Sequence, residues 1–255
     1  MQTPIHIDSR FPHMGTTIFT VMSRMAAECG AINLSQGFPD FQAEPALFEA
    51  MDRHMRAGRN QYAPMAGMPE LRQAIVDKVA ALYGMRFDAE SEVTVTAGAT
   101  QAIFTAIAAF VRPGDEVVVF EPVYDSYVPA IETVGGTAVF AQLQFPDYVP
   151  DWAQVAALIT PKTRMIVINS PHNPTGSLLT AVDLEKLAEL VRGTDIIVLS
   201  DEVYEHILFD GERHASLCGH PELAPRSIVV SSFGKTYHIT GWKIGYVVGP
   251  AALMA

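Results

Sequence analysis

Apolar segments of strand length alternate with amphipathic helical patterns through most of this chain. The segments EVTVTAG (92–98) and EVVVFEP (116–122) flank the helical pattern ATQAIFTAIAAFV, an order typical of a βαβ unit. RMIVINS, DIIVLSDEVY and SIVVSSFGK are further apolar strands, and TAVDLEKLAELVRG opens on a capping box of Thr180 with Asp183. Strands that are apolar on both faces and separated by helices predict an α/β fold, with a mostly parallel central sheet flanked by helices.

The composition favours a globular protein that binds a small molecule. The chain has 255 residues, of which 49% are hydrophobic and 18% charged, enough to build a substantial core. Its net charge of -11 argues against nucleic acid and anionic membrane surfaces as partners. Cys29 and Cys218 lie far apart, no signal-like leader is present, and no apolar run reaches the roughly 20 residues of a spanning helix. We therefore expect a cytoplasmic protein, and the cysteine and histidine spacings predict no metal site.

Ligands of such sheets bind beyond the carboxyl ends of the strands, so the residues after each strand are the candidates for a site. A small-residue turn that begins at Gly98 follows the first strand and opens a helix whose free N–H groups favour a phosphate. Tyr124 follows the next strand and can stack on a planar ligand. Each feature has a simpler explanation when taken alone, namely close packing for the turn and a core position for the tyrosine.

Polar residues also follow the later strands. Asn173 lies in PHNPTG, where it can be a turn residue, and Asp201 follows the apolar segment IIVLS. A carboxylate buried there needs a cation or an N–H group as a partner. Lys235 ends SIVVSSFGK, although an isolated lysine in this place is usually a surface residue. A lysine, a carboxylate, an aromatic ring and a phosphate-binding turn at one sheet edge together favour a site for pyridoxal 5′-phosphate.

Each part has a chemical task in such a site. Lys235 would form the Schiff base, and Asp201 would keep the pyridine nitrogen protonated so that the ring can accept electrons. Asn173 and Tyr204 would hydrogen-bond the phenolic oxygen of the ring, and Tyr124 would stack on it. The phosphate would be held by Gly98, Ala99, Thr100, Ser232 and Lys243. The predicted catalytic residues are Lys235, Asp201 and Tyr204.

Three segments, PHNPTG, SDEVY and SSFGKTYHITGWKIGY, occur in this order together with LSQGFPDF (34–41), QYAP (61–64) and TAGATQA (96–102). They resemble the signature segments of the fold-type I, class I/II pyridoxal-phosphate aminotransferases, in the subgroup of the methionine, glutamine and kynurenine enzymes. The resemblance implies that Gly37 and Asn173 contact the substrate, Gly37 through its backbone N–H. It also implies that Tyr62 reaches the cofactor phosphate of a neighbouring subunit, which makes a homodimer part of the site.

The resemblance implies a division of the chain and one departure in the site. We expect an N-terminal arm and small-domain segment at 1–45 and a large cofactor-binding α/β domain at 46–255. By the same resemblance, we expect these 255 residues to lack the family's C-terminal small-domain segment with its carboxylate-binding arginine. Lys243 stands where many members have arginine, which replaces a forked group by a point charge that still neutralises a phosphate.

The implied activity is transfer of the amino group of an L-amino acid to a 2-oxo acid. Tyr124, Phe38 and Tyr62 suggest a pocket for methionine or an aromatic amino acid. Two alternatives stay open at this point. One is a carbon–sulfur β-lyase on the same scaffold, which would use the same residues. The other is a non-catalytic, aminotransferase-like module that binds an effector.

Overall fold

The computed structural model describes residues 8–12, 15–36 and 41–255. The chain divides into two compact units, Met1–Gln42 and Ala43–Ala255. In the first unit, helix α1 (Ile18–Cys29) begins at Thr17, whose side chain accepts a hydrogen bond from the N–H of Thr20, and ends at Gly30 in the left-handed conformation that glycine favours. The division concerns compactness alone, and the assignment of 1–45 to a small domain stays a prediction.

Within the described part of the second unit, eight strands form one sheet in the order β1-β8-β7-β6-β5-β2-β3-β4. Four neighbouring pairs are parallel, β2 with β3 and with β5, β5 with β6, and β6 with β7, while β1, β4 and β8 pair antiparallel. The prediction of an α/β fold with a mostly parallel sheet is confirmed. The strands are β1 (Val93–Thr96), β2 (Glu116–Glu121), β3 (Thr137–Gln144), β4 (Val149–Pro150), β5 (Thr163–Asn169), β6 (Ile197–Asp201), β7 (Ser227–Ser232) and β8 (Gly245–Val248).

Helices cover both faces of the sheet. Along β2, Val118 and Phe120 belong to one buried cluster, and Val117 and Val119 belong to the other, because successive strand residues point to opposite faces. The first cluster takes in residues of α3, α6 and α7, and the second takes in residues of α4 and α5. The helices of this unit are α2 (Pro45–Arg56), α3 (Pro69–Tyr83), α4 (Ala99–Phe110), α5 (Tyr127–Thr133), α6 (Trp152–Leu158), α7 (Ala181–Val191), α8 (Phe233–Thr236) and α9 (Ala251–Met254).

Two sequence-based expectations about local structure have clear outcomes. The capping box is present at the start of α7, where the side chain of Thr180 accepts from the Asp183 N–H and the Thr180 N–H donates to the Asp183 carboxylate. The predicted βαβ unit does run from β1 through α4 to β2. Its two strands are not neighbours, however, since β8, β7, β6 and β5 lie between them.

On the sheet face opposite α4, the buried carboxylate of Glu205 connects the segment after β6 with β7 and α3. Glu205 is only 4% exposed, and its carboxylate accepts hydrogen bonds from Lys78, Ser231 and Tyr83, each at 2.5 Å. Burial alone would raise the pKa of Glu205, but Lys78 and the two hydroxyls outweigh it, so the pKa lies below its usual value. This network fixes the segment after β6 against the strand and helix beside it.

Both cysteines are free thiols, Cys29 exposed and Cys218 buried. None of the helices in the described ranges combines the length and the apolar character that crossing a bilayer requires.

We expect Lys78→Met to lower the free energy of unfolding by about 3–5 kcal/mol, because it leaves the Glu205 carboxylate buried without its cation. Urea denaturation at neutral pH measures the change. The matched control is Lys186→Met, since Lys186 pairs with Glu189 at 3.4 Å on an exposed helix face and should cost less than about 1 kcal/mol. Equal losses in the two variants would contradict the role given to the buried pair.

Candidate active site

The parallel strands deliver polar side chains to one edge of the sheet. Because β2, β5, β6 and β7 run in the same direction, their carboxyl ends meet at the same edge. The residues that follow these ends include Tyr124 after β2, Asn173 after β5, Tyr204 after β6 and Lys235 after β7. Asp201 is the last residue of β6. This edge of the sheet therefore carries the candidate active site.

Asp201 is the most constrained of these residues. It is 4% exposed, its Oδ2 accepts a hydrogen bond from the hydroxyl of Tyr127 at 2.6 Å, and its Oδ1 accepts one from the Val203 N–H at 3.3 Å. Burial raises the pKa of Asp201 to about 6, although Tyr127 and Val203 lower it. The carboxylate is thus held in one orientation and is close to accepting a proton at neutral pH.

Asn169, the last residue of β5, connects two of the predicted site residues. Its side-chain NH₂ donates to the backbone carbonyl of Asp201 at 2.9 Å, and its side-chain oxygen accepts the backbone N–H of Asn173 at 2.7 Å. Asn169 is buried, so both of its polar ends are satisfied inside the protein. It sets the position of the PHNPTG turn relative to the end of β6.

Tyr124 and Tyr127 come from one segment, the turn after β2 and the first residue of α5. Their rings pack edge to face with centroids 5.5 Å apart. Tyr127 belongs to the same buried cluster as residues of α4, and Tyr124 packs against that cluster. The segment therefore joins the helix that follows β1 to the carboxylate at the end of β6.

Lys235 lies in the short helix α8, and its Nζ is 5.4 Å from the centre of the Tyr204 ring. Burial lowers the pKa of Lys235, the positive charge of Lys243 lowers it further, and the negative charge of Asp201 opposes both. Burial, followed by the charge of Asp201, raises the pKa of Tyr204, so its hydroxyl keeps its proton. A primary amine with a lowered pKa is a better nucleophile at neutral pH than an ordinary lysine.

Backbone N–H groups and a cation meet at the start of α4. Gly98 has φ 83° and precedes the helix, so Ala99 and Thr100 form its first turn, whose N–H groups favour an anion. A side chain added at Gly98 would lie 3.5 Å from Cε of Lys243. Ser232 is the N-cap of α8, where its hydroxyl oxygen accepts the N–H of Gly234. The arrangement suits a phosphate group.

Gly245 allows β8 to approach this turn. A Cβ atom at that position would lie 2.6 Å from the carbonyl carbon of Gly98 and 2.7 Å from the nitrogen of Ala99. Both contacts are with backbone atoms, which do not yield as a flexible side chain does, so only glycine fits.

Contacts and charges connect the groups at this edge. Tyr127 packs on Tyr124 and donates to Asp201, and Lys243 lies beside Gly98. Asp201 and Lys243 both act on the pKa of Lys235, in opposite directions. The structure thus brings together the predicted lysine, carboxylate, aromatic ring and anion-binding turn.

The roles predicted for Tyr62 and Gly37 are not tested by this arrangement. The Tyr62 side chain is fully exposed in the single chain. Gly37 lies outside the described residues. No group of three or more His, Cys, Asp or Glu side chains in the described ranges is arranged to hold a metal ion.

Three residues that the sequence analysis missed contribute to the site, namely Tyr127, Asn169 and Gly245. Each carried a weak signal. Asn169 is the polar end of the apolar strand MIVIN, Gly245 interrupts the start of a strand, and Tyr127 follows Tyr124 by three residues. None of these signals predicts a particular partner.

Comparison with known proteins identifies the family. The sequence profile of the aminotransferase class I and II family matches residues 30–255, so the chain belongs to that family. It is 51% identical to the methionine aminotransferase of Escherichia coli over 252 residues, which are 99% of this chain and 65% of that protein. It is 43% identical to a probable N-succinyldiaminopimelate aminotransferase of Mycobacterium tuberculosis, covering 97% of this chain and 63% of that one. The chain therefore spans less than two thirds of the length of these two curated relatives.

The fold agrees with a solved structure of the same family. A crystal structure from Escherichia coli, described as identifying a methionine aminotransferase function for YbdL, superposes with a TM-score of 0.96 at 50% identity. The superposition covers 98% of this chain and 66% of that one.

Pyridoxal 5′-phosphate is the cofactor of this family, and the residues present fit it. The buried carboxylate of Asp201 can pair with a protonated ring nitrogen, and the amine of Lys235 can react with an aldehyde. The first turn of α4, which Gly98 precedes, and the cation of Lys243 are suited to its phosphate.

We expect Asn169→Ala to weaken pyridoxal phosphate binding by about tenfold or more, because two buried hydrogen bonds that set Asp201 and Asn173 are lost together. An absorbance titration of the cofactor measures its dissociation constant. Gln144→Ala is the matched control, since it removes an exposed side-chain amide at the end of β3. If Asn169→Ala binds the cofactor as tightly as Gln144→Ala, the positioning role of Asn169 is wrong.

Lys243→Gln should raise the pKa of Lys235, because the second cause of its lowered pKa is removed while the side chain stays polar. Only the neutral amine attacks an aldehyde, so the pH at which capture is half-maximal should move upward. Pyridoxal, which lacks the phosphate, is the probe, so that loss of a phosphate contact does not enter the rate. Lys162→Gln, at an exposed lysine before β5, should leave this pH unchanged. An unchanged or lower midpoint in Lys243→Gln would refute the electrostatic link.

Proposed function

We propose that the protein catalyses the transfer of an amino group from an L-amino acid to a 2-oxo acid, with pyridoxal 5′-phosphate as cofactor. The observation that carries the proposal is that a buried, oriented carboxylate, Asp201, and the amine of Lys235, whose pKa is lowered, stand at the same edge of the sheet. The family to which the chain belongs supports the same reaction.

The chain's own residues would have separate tasks. When bound, the cofactor supplies a ring that draws electrons away from the α-carbon of the substrate. Asp201 would hold a proton at the ring nitrogen, and Asn173 and Tyr204 would donate hydrogen bonds to the ring oxygen. Tyr124 would stack on the ring. The phosphate ligands would be Gly98, Ala99, Thr100, Ser232 and Lys243.

Lys235 would have two tasks in turn. It would first hold the cofactor covalently through Nζ. When the amino group of the substrate displaces it, Nζ would become a free amine, placed to take the proton from the substrate α-carbon. Burial favours the neutral amine that this step needs, because it lowers the pKa of Lys235.

The substrate side chain that we favour is that of methionine. The relative that is 51% identical is named a methionine aminotransferase. An aromatic amino acid is the second candidate, because Tyr124 and Tyr62 are aromatic residues of the predicted site. The similarity to named aminotransferases favours transamination over the carbon–sulfur β-lyase and the effector-binding module.

We also propose that two copies of the chain share each site. Tyr62 and the nearby Met65 are fully exposed in the single chain, as side chains that a second copy covers would be. Tyr62 of one copy would contact the phosphate bound by the other, and Gly37 would offer its N–H to the substrate carboxylate. Free cysteines and a net charge of -11 are compatible with a location in the cytoplasm.

Lys235→Ala should abolish covalent attachment of pyridoxal phosphate and lower methionine transamination more than about 1000-fold, while non-covalent binding persists through the other contacts. Borohydride reduction followed by peptide mass spectrometry locates the attachment, and formation of the 2-oxo acid measures turnover. The matched control, Lys162→Ala at an exposed lysine, should retain both. Attachment that persists in Lys235→Ala would show that another lysine carries the cofactor.

The same preparation separates transamination from the lyase alternative. A cysteine conjugate as substrate yields pyruvate and ammonia if a β-lyase operates. Transamination instead yields the corresponding 2-oxo acid and needs a second 2-oxo acid to complete the cycle. Release of pyruvate and ammonia faster than methionine turnover would contradict the proposed reaction.

A further inference from the structure

Tyr127 is a buried tyrosine whose hydroxyl has one direct contact with the candidate site. It is the first residue of α5 and is 3% exposed. Its hydroxyl donates to Oδ2 of Asp201 at 2.6 Å, a distance typical of a strong hydrogen bond to a charged oxygen. Burial, followed by the charge of Asp201, raises the pKa of Tyr127 well above its usual value, so the hydroxyl remains a donor.

The groups around Asp201 differ in the protonation state of its carboxyl group that they favour. Burial and the carboxylate of Glu202 favour the protonated form of Asp201, while Lys235 favours the ionised form. Tyr127, from α5, and the Val203 N–H, from the segment after β6, favour the ionised form by hydrogen bonds. The pKa values of Tyr124 and Tyr204 are also raised, by burial and by nearby charges that include Asp201, so both hydroxyls keep their protons.

The contribution of Lys235 does not last through the proposed reaction. Its positive charge is lost or moved when Nζ becomes bonded to the cofactor or takes part in proton transfer. The hydrogen bond from Tyr127 carries no such charge and stays in place. Because the carboxylate is buried, it then depends on its neutral donors to remain ionised.

We propose that Tyr127 is a positioning residue that keeps Asp201 ionised and aims its carboxylate at the ring nitrogen of the cofactor. This inference rests on the proposed function. Within the pair of Asp201 and the ring nitrogen, a single proton can sit on either partner. A hydrogen-bond donor to the carboxylate favours the charge-separated arrangement, with the proton on nitrogen, and so favours the electron-withdrawing form of the ring.

A purely structural role for Tyr127 would have other consequences. Its ring packs in the second buried cluster and against Tyr124, and the phenylalanine variant keeps both contacts. Loss of the hydroxyl would then change stability alone. The proposed role requires that Tyr127→Phe also change where the proton sits, without loss of the fold.

The first measurement is the protonation of the ring nitrogen in the reconstituted protein. Solid-state 15N NMR with pyridoxal phosphate labelled at that nitrogen reports the proton directly. Tyr127→Phe should shift the signal toward the unprotonated form at neutral pH and lower kcat by about 10- to 100-fold. An unshifted signal would overturn the inference.

Tyr83→Phe is the matched control. Tyr83 also donates to a buried carboxylate, that of Glu205 at 2.5 Å, but it belongs to α3 and faces the other side of the sheet. Its phenylalanine variant should cost stability and leave the nitrogen signal at the wild-type position. The same shift in both variants would mean that any lost tyrosine hydroxyl disturbs the site, and the inference would fail.

A double-mutant cycle tests whether Tyr127 acts through Asp201. In the Asp201→Asn background the charge is absent, so adding Tyr127→Phe should change kcat by less than about twofold. If Tyr127→Phe costs as much there as in the wild type, its effect does not pass through the carboxylate, which overturns the assignment.

A second measurement needs no cofactor. In the cofactor-free protein, 13C NMR of the Asp201 carboxyl should give a titration midpoint that Tyr127→Phe moves upward by about one pH unit or more. If Lys235 captures the cofactor but the midpoint and the nitrogen signal do not move, this inference is wrong while the proposed function stands. If no lysine captures the cofactor, the proposed function is wrong, and an unmoved midpoint would refute the link between Tyr127 and Asp201 as well.

Discussion

The burial of one carboxylate at the end of β6 is the constraint on which the rest of the site depends. A charged oxygen pair that is almost fully removed from water is costly unless donors surround it. Asp201 receives them from Tyr127 and the Val203 N–H, while Asn169 holds its backbone carbonyl. These contacts come from α5, from β5 and from the segment after β6. The carboxylate therefore determines how three separate parts of the chain meet at this edge.

The opposite face of the same segment is held by a second set of buried charges. Glu205 lies four residues after Asp201 and joins Lys78 of α3 to Ser231 of β7. Ser231 in turn precedes Lys235 by four residues along the chain. Because both ends of this short path are fixed by buried hydrogen bonds, the distance between the carboxylate and the amine depends on contacts on both faces of the sheet. A rigid scaffold of this kind holds reacting groups better than a loop alone.

The sequence indicated candidate site residues where one local segment carries the information. Lys235, Asp201 and Tyr124 were predicted because each stands at or after the end of an apolar strand, and the ends of parallel strands converge. Tyr127, Asn169 and Gly245 were missed because a tyrosine, an asparagine or a glycine at those places is compatible with ordinary packing or turn formation. The role of each depends on which atoms of a distant segment it contacts, and the sequence does not specify these contacts. The roles of Tyr62 and Gly37 stay predictions, since they concern a second copy and residues outside the described ranges.

By itself the sequence determined the class of fold, the capping box of α7 and the apolar strands, because these follow from hydrophobic period and local hydrogen bonding. Only the tertiary structure decided the order of the strands, in which β8, β7, β6 and β5 separate β1 from β2. It also decided that the hydroxyl of Tyr127 meets Asp201, 74 residues away along the chain. Such pairings depend on how whole layers pack, since burial of both sheet faces and satisfaction of every buried polar group must be achieved together.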